Sequence, residues 1–287
     1  MQVTSTAVTA GRFNARLFRW HRTARRSLLI RDARTPWEML VAEVMSQQTQ
    51  VERIGPTWRR FLDAWPTPAD LAAAHTRDLL AAWSGLGYNR RALALRDAAR
   101  EIVAEHAGRV PTTIASLEGL PGVGPYTARA VAATAFGIPV APVDVNVRRV
   151  VSRVLGVPAS SPRLQAEADA LVSRRQAGRW LEAVMDLASG VCGPRDPRCP
   201  ACPLAPVCAS RGLTEQPGRT ARSKPFPTTT RWLRGRLVAL ATTAPDGWVP
   251  LPETLGAHDS EAIAAAAGSL EREGFLEVRA GEVRVRA

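Results

Sequence analysis

Lysine is all but missing from this chain. Of its 38 lysines and arginines only Lys224 is a lysine, so the sequence offers a single side-chain amine for Schiff-base chemistry. Cysteine is scarce too: four in 287 residues, all between Cys192 and Cys208. That clustering excludes a disulfide framework spread through the fold. It points instead to a metal site in a reducing compartment, and so to a cytoplasmic protein. No apolar run approaches the roughly 18 residues that a membrane span requires. The N-terminus carries arginines but no continuous apolar segment of secretory type. Acidic residues are in deficit, 26 against 38 bases, which leaves a formal net charge of +12. A surplus of that size calls for a polyanionic partner, and nucleic acid is the commonest.

What is present begins with Leu120-Pro121-Gly122-Val123-Gly124-Pro125-Tyr126, which joins apolar segments at 114–120 and 127–136. Glycines at 122 and 124 let the backbone turn with positive φ and leave no side chain in the way of a close approach. A turn that opens a helix also presents unpaired N–H groups to an anion, and for so basic a chain the commonest such anion is a nucleic-acid phosphate. An ordinary helix–helix turn has the same local signature.

Length predicts two or three units. Residues 1–9 are small and polar and read as a frayed end. A basic amphipathic helix is expected over 12–34, around Phe13, Leu17, Phe18 and Trp20. Thr35-Pro36 then reads as an N-cap with proline in the first turn, and Trp37, Leu40, Val41, Val44 and Met45 recur at helical spacing. Glu43 lies beside that stripe. Facing solvent it is ordinary; desolvated, its pKa rises and suits it to donate a proton. The polar run 46–50 includes Gln48, a side chain able to bond base edges. Further helices are expected over 54–61, 71–83 and 92–105. Between the last two, Gly85-Leu86-Gly87-Tyr88 leads into Arg90 and Arg91, apolar wedges beside phosphate-binding arginines or else core packing. Asp144 stands before a helix containing Val147, Val150, Val151 and Leu155. It reads as that helix's N-cap, and aimed into a pocket it stabilises a developing cation. Two more helices follow over 164–187.

The cysteines run Cys192-x6-Cys199-x2-Cys202-x5-Cys208. Four thiolates suit either Zn²⁺ or a [4Fe–4S] cluster.

Taken in one order, these motifs resemble the helix-hairpin-helix DNA glycosylases that carry an iron–sulfur cluster, and within them the adenine glycosylases of the MutY type. The resemblance rests on Glu43 in the run 42–50, the turn 85–88, the hairpin 120–126, Val143 to Arg149 and the four cysteines. It spans residues 13–211, roughly 70% of the chain. It implies a mainly α fold, with a six-helix barrel and an iron–sulfur module. It implies that Cys192, Cys199, Cys202 and Cys208 hold a [4Fe–4S] cluster with no redox step in base excision. The substrate would be double-stranded DNA with adenine opposite 8-oxoguanine or guanine, bound by a monomer at the nucleoid. Glu43 would protonate adenine N7, and Asp144 would stabilise the oxocarbenium ion or trap it. Tyr126 and Asn146 would complete the pocket. Gln48, Leu86, Tyr88, Gly122 and Gly124 would contact or wedge the duplex. Relatives that cut the backbone carry lysine where this chain has Tyr126, so a monofunctional glycosylase is expected.

The match ends near Arg211. About 75 residues follow, too few for the nudix-like domain that usually closes such chains, and no Phe-Ser-His segment is present. The expected division is a glycosylase domain at 1–211, a linker at 212–230 and a small α+β, winged-helix-like domain at 231–287. Helices are expected near 232–241 and 260–273, and a strand pair at 275–279 and 282–286. A mismatch thymine glycosylase and a non-catalytic DNA-binding protein are the rival readings. Thymine, lacking an N7, gives Glu43 no such task.

Overall fold

The computed structural model describes residues 8–212, 225–244 and 247–286. Lys224, residues 1–7 of the expected frayed end and most of the expected linker lie outside the described residues. In chain order the helices are α1 (Ala10–Ala24), α2 (Pro36–Ser46), α3 (Gly55–Ala64), α4 (Pro68–Ala72), α5 (Thr76–Ala82), α6 (Arg90–Glu105), α7 (Ile114–Gly119) and α8 (Pro125–Ala135), followed by α9 (Val145–Leu155), α10 (Leu164–Leu171), α11 (Ala177–Gly190), α12 (Thr230–Thr243) and α13 (Ser260–Arg272). The strands are β1 (Val249–Pro250), β2 (Leu276–Arg279) and β3 (Glu282–Val285). The fold is mainly helical, as expected. No helix among the described residues is long and apolar enough to cross a membrane.

The chain forms two compact units, 1–43 with 110–220 and 44–109 with 221–287. In the first, one apolar core gathers Phe13 and Leu17 of α1, Val147, Val150 and Val151 of α9, and Trp180, Val184 and Leu187 of α11. Gly178 lets α11 press against α8, since a Cβ there would stand 3.1 Å from Thr134 Cα. The helix expected over 12–34 stops at Ala24. The Arg26 N–H that would continue it donates instead to Asp186 Oδ2 at 3.2 Å. Arg26 and Arg31 also bond Asp186, at 2.7 and 2.8 Å, and His21 Nε2 lies 3.0 Å from it. Asp186 is 2% exposed. Burial pushes its carboxyl up, but the bonds from Arg31 and Arg26 outweigh that and hold it down to about 2.

The second unit packs Phe61 against Trp65 and Trp83, with ring centroids 4.8 and 5.8 Å apart. The continuous helix expected over 71–83 is two. Ala73 to His75 break it, and the next helix starts at Thr76. Thr67 and Asp70 form a capping box that starts α4, a signal legible in the sequence. The C-terminal segment closes on the same unit, with α12 packed on α5 and Arg77 bonding the Ala244 carbonyl. Its strand pair forms as expected, Leu276 opposite Val285 and Val278 opposite Val283. An unanticipated β1 joins the other edge of β3. Pro250 cannot donate a ladder bond, and an edge strand is where proline is tolerated.

Candidate active site

Glu43, Tyr126 and Asp144 come from three separate segments of the first unit and act on one another electrostatically. Thr35 caps α2, accepting from Glu38 N at 3.2 Å, and the helix buries Trp37, Leu40, Val41, Val44 and Met45 as its spacing predicts. Glu43 lies on the same helix with its carboxyl desolvated. Burial chiefly, and then the charge of Asp144, push its pKa up to about 7. Among the described residues nothing hydrogen-bonds that carboxyl. Tyr126, near the start of α8, packs on the apolar core. Burial first, then Glu43, then Asp144 raise its hydroxyl well above the usual phenol range. The hydroxyl therefore stays protonated at neutral pH and acts as a neutral donor.

Asp144 is the N-cap of α9. Its Oδ1 accepts from the main-chain N–H groups of Asn146 and Val147, both at 2.8 Å, and its Oδ2 accepts from Asn146 Nδ2 at 2.8 Å. Asn146 Oδ1 in turn accepts from Arg149 at 3.1 Å. A carboxylate only accepts and a guanidinium only donates, so the amide satisfies both neighbours in one orientation alone. Arg149 continues to the carbonyls of Cys192 at 2.8 Å and Ala188 at 3.0 Å. A bonded chain thus runs from Asp144 to the start of the cysteine loop. Sequence reasoning missed this role for Arg149. No local signal marks it, because both carbonyl partners lie about forty residues further along.

The hairpin 120–126 joins α7 to α8. Thr113 caps α7, while Leu120 and Val123 bury their side chains. Gly122 takes φ +76°, where a side chain would be strained. Gly124, the N-cap of α8, has φ −89°, which any residue adopts, and a Cβ there would meet nothing within 4 Å. Both glycines are exposed.

The four cysteines line one cavity together with Val150, Arg153 and Leu204. Among the described residues, no three His, Cys, Asp or Glu side chains close on a point as for a single ion. The loop is pinned to α9. Ala209 N and Ser210 N donate to the carbonyls of Val154 and Arg153, both at 3.0 Å. Arg153 bonds the carbonyls of Gly193 at 2.7 Å and Pro194 at 3.0 Å. Burial, and the neighbouring cysteines, push Cys202 up to about 11, against backbone N–H groups of Leu204 and Ala205 that pull it down.

In the second unit the Gly85–Tyr88 turn and the end of α2 are stapled by Arg91. Its guanidinium donates to the carbonyls of Val44, Met45 and Gln47 at 3.0, 2.8 and 2.6 Å. It also donates to those of Leu86 and Gly87 at 3.2 and 3.0 Å. This corrects its reading as a phosphate-binding arginine: the side chain is spent on main-chain carbonyls. Leu86 is only 7% exposed and Tyr88 is 38% exposed, so of the two apolar groups Tyr88 is the one at the surface. Gln48 is exposed, and both Gln48 (φ +56°) and Tyr88 (φ +49°) hold left-handed backbone.

Residues 41–174 match the HhH-GPD superfamily of base excision DNA repair proteins. An adenine DNA glycosylase of Mycobacterium tuberculosis is 41% identical over 238 residues, 79% of this chain and 78% of that one. The human adenine DNA glycosylase is 39% identical over 205 residues, 69% of this chain and 37% of that one. Among solved structures, a thermostable thymine-DNA glycosylase superposes with a TM-score of 0.66 at 27% identity, over 70% of this chain and 96% of that one. Endonuclease III in a non-covalent DNA complex gives 0.60 at 25% identity, over 71% and 97%. With the hairpin, the capped aspartate and the desolvated glutamate in place, these likenesses show that the chain belongs to the adenine DNA glycosylase family of the HhH-GPD superfamily.

Proposed function

We propose that this chain is a monofunctional glycosylase that hydrolyses adenine from DNA, where it is mispaired with 8-oxoguanine or guanine. The observation that carries the reading is Glu43, a desolvated carboxyl with a pKa about 7 beside a second carboxylate, Asp144. Two carboxylates with divided tasks are what N-glycosidic hydrolysis needs. Adenine leaves poorly as an anion. Protonated Glu43 gives its proton to N7, and the C1′–N9 bond breaks with its electron pair passing to the base. Positive charge develops on the sugar, and Asp144, held by three hydrogen bonds, stabilises it without having to reorganise. A water then adds to C1′ and passes its proton to the Glu43 carboxylate, leaving free adenine and an abasic site. Tyr126 donates a hydrogen bond within the pocket, and Asn146 fixes the direction of Asp144. Where lyases place an amine this chain has a phenol that stays protonated, so no Schiff base forms there.

The cysteine loop fits a [4Fe–4S] cluster. Four sulfurs line one cavity, backbone N–H groups point at Cys202, and their mutual repulsion as thiolates calls for cationic metal among them. Cys192, Cys199, Cys202 and Cys208 would hold it. When bound, the cluster cross-links the loop and takes no part in base excision. The exposed start of α8, opened by Gly122 and Gly124, would take a backbone phosphate, and Gln48 and Tyr88 would meet the duplex around the lesion, with Leu86 backing the turn. We assign the glycosylase to 1–211, a linker to 212–230 and a small α+β domain to 231–287, acting as a monomer in the cytoplasm on nucleoid DNA.

The likeness to a thymine-DNA glycosylase structure supplies a rival substrate and so a control. Base release is measured from duplexes carrying A opposite 8-oxoguanine, A opposite G, T opposite G and A opposite T, with and without alkali. Adenine release from the first two, strand breakage only after alkali, and loss of both in Glu43→Gln are the expected results. Thymine release, or no release from any duplex that the protein binds, would sink the proposal.

A further inference from the structure

The stretch 137–144 has no regular structure and leads from α8 to Asp144 at the head of α9. Asp144 takes its three hydrogen bonds from α9 itself. They aim the carboxylate on its own helix, but none of them ties it to α8, where Tyr126 stands. That tie is made at Ala141. Ala141 is fully buried, so its main-chain groups cannot turn to water. Its N–H donates to Asp169 Oδ1 at 2.7 Å, and its carbonyl accepts from Gln165 Nε2 at 2.9 Å. Both partners are side chains of α10. Among the described residues, Ala141, Pro142 and Val143 make no other main-chain hydrogen bond. Asp169 is braced in turn. Arg129 Nη1 donates to its two oxygens at 3.1 and 3.2 Å, and Gln165 Nε2 donates to Oδ1 at 3.1 Å. The Gln165 nitrogen thus meets two acceptors, which settles the orientation of the amide. Arg129 follows Tyr126 by three residues on α8, about one turn along the same helix. A bonded path therefore runs from the helix that carries Tyr126, through Asp169, to the stretch that delivers Asp144. The Arg129 and Asp169 side chains are 23% and 30% exposed, and an ion pair in contact with water adds little stability. What it supplies is geometry.

We propose that Asp169, braced by Arg129 and Gln165, is a positioning residue for base excision: it holds Ala141 so that Asp144 stands in a fixed place relative to Tyr126 when the sugar becomes cationic. The inference deepens the adenine-glycosylase reading and rests on it. A carboxylate stabilises a developing charge most when it is in place beforehand and has no reorganisation to undergo. The clamp acts on the three residues that precede Asp144, where the main chain has no ladder of its own. Gln48, Tyr88 and the hairpin glycines lie on other segments, so the clamp serves the chemical step and not the hold on the duplex.

The test uses the full chain and compares wild type with Asp169→Ala, Asp169→Asn and Gln165→Ala. Release of adenine opposite 8-oxoguanine is followed in single turnover with enzyme in excess, well below the melting temperature of every variant. Dissociation constants are measured on the same duplex carrying a non-hydrolysable 2′-fluoro-deoxyadenosine. Asp169→Ala is expected to slow release roughly tenfold or more while duplex affinity stays at the wild-type value. Asp169→Asn keeps an oxygen for the Ala141 N–H and should recover most of the rate, with Gln165→Ala in between. Hydrogen exchange of the Ala141 amide, slow in wild type and in Asp169→Asn, should quicken in Asp169→Ala. An unchanged rate in Asp169→Ala would overturn the inference. So would a rate that falls only in step with the folded fraction, or equal losses in Asp169→Ala and Asp169→Asn. Wild type that binds the duplex and releases no base would sink the adenine reading and this inference together. Active wild type with an indifferent Asp169→Ala would sink this inference alone.

Discussion

A carboxyl group whose pKa is about 7 is half protonated at neutral pH, the condition under which a general acid works best. Adenine release under saturating duplex should therefore fall as pH rises through about 7, as Glu43 loses the proton it must give. The same shift acts on folding, with a definite sign. Glu43 ordinarily titrates at 4.5, so between that value and about 7 the folded state binds more protons than the unfolded chain, and stability falls as pH rises across the window. Glu43→Gln escapes this. It should melt later than wild type at pH 8, by about 1–3 kcal/mol of unfolding free energy, and no later at pH 4. Urea melts at the two pH values decide it, and equal differences at both would contradict a desolvated carboxyl. The hairpin glycines separate in the same spirit. Gly124→Ala has room and ordinary backbone angles, so it should fold as wild type does and lose only duplex affinity. Gly122→Ala must take φ +76° and should lose stability, about 1 kcal/mol or more. Glu43, Asp144 and the glycines stood out through their place in one ordered set of family motifs; taken singly, a solvent-facing glutamate, a plain N-cap and an ordinary turn have the same local signatures. Arg149 and Arg91 did not stand out in their roles. Their partners are main-chain carbonyls, which carry no residue identity for a sequence to show.

Between elements, the joint of α1 and α11 is a buried ion cluster around Asp186, not only an apolar seam. Its depressed pKa means that its stabilisation is present above the unfolded value of 3.8 and is lost as pH falls through about 2. Asp186→Asn should thus destabilise the chain by about 3 kcal/mol at pH 7, because Arg26 and Arg31 lose their buried counter-charge. The gap should narrow at pH 3, and chemical denaturation at both values tests it. This cluster also explains why helical periodicity overran the end of α1. The pattern of Phe13 and Leu17 continues in Arg25 and Arg26 as a possible basic face, but a buried carboxylate 160 residues away captures the Arg26 N–H. Long apolar helices were legible because burial follows their period. The break at 73–75 and the two-residue β1 were not: the first has no side-chain cap at the start of α5 to announce it, and the second depends on a strand partner supplied by β3.

At the scale of the molecule, the cysteine loop belongs entirely to the first unit, and the second unit contains none of it. Replacing Cys199 with serine should abolish the visible absorption of the proposed cluster and weaken duplex binding. The melting of α3–α6 with the C-terminal sheet should be little changed, as hydrogen exchange of the two units can report separately. Exchange loosened equally in both would refute that independence. The two units also share out the tyrosines. The chain has only two, Tyr126 in the first unit, under the influence of Glu43 and Asp144, and Tyr88 on the exposed turn of the second. Grown on 3-fluorotyrosine, the protein would give a fluorine spectrum of two lines, one per unit, with no residue deleted. Free adenine should shift the Tyr126 line alone, and a lesion duplex should shift both. The interval between the two shifts after rapid mixing would time the passage of the base from the stack to the pocket.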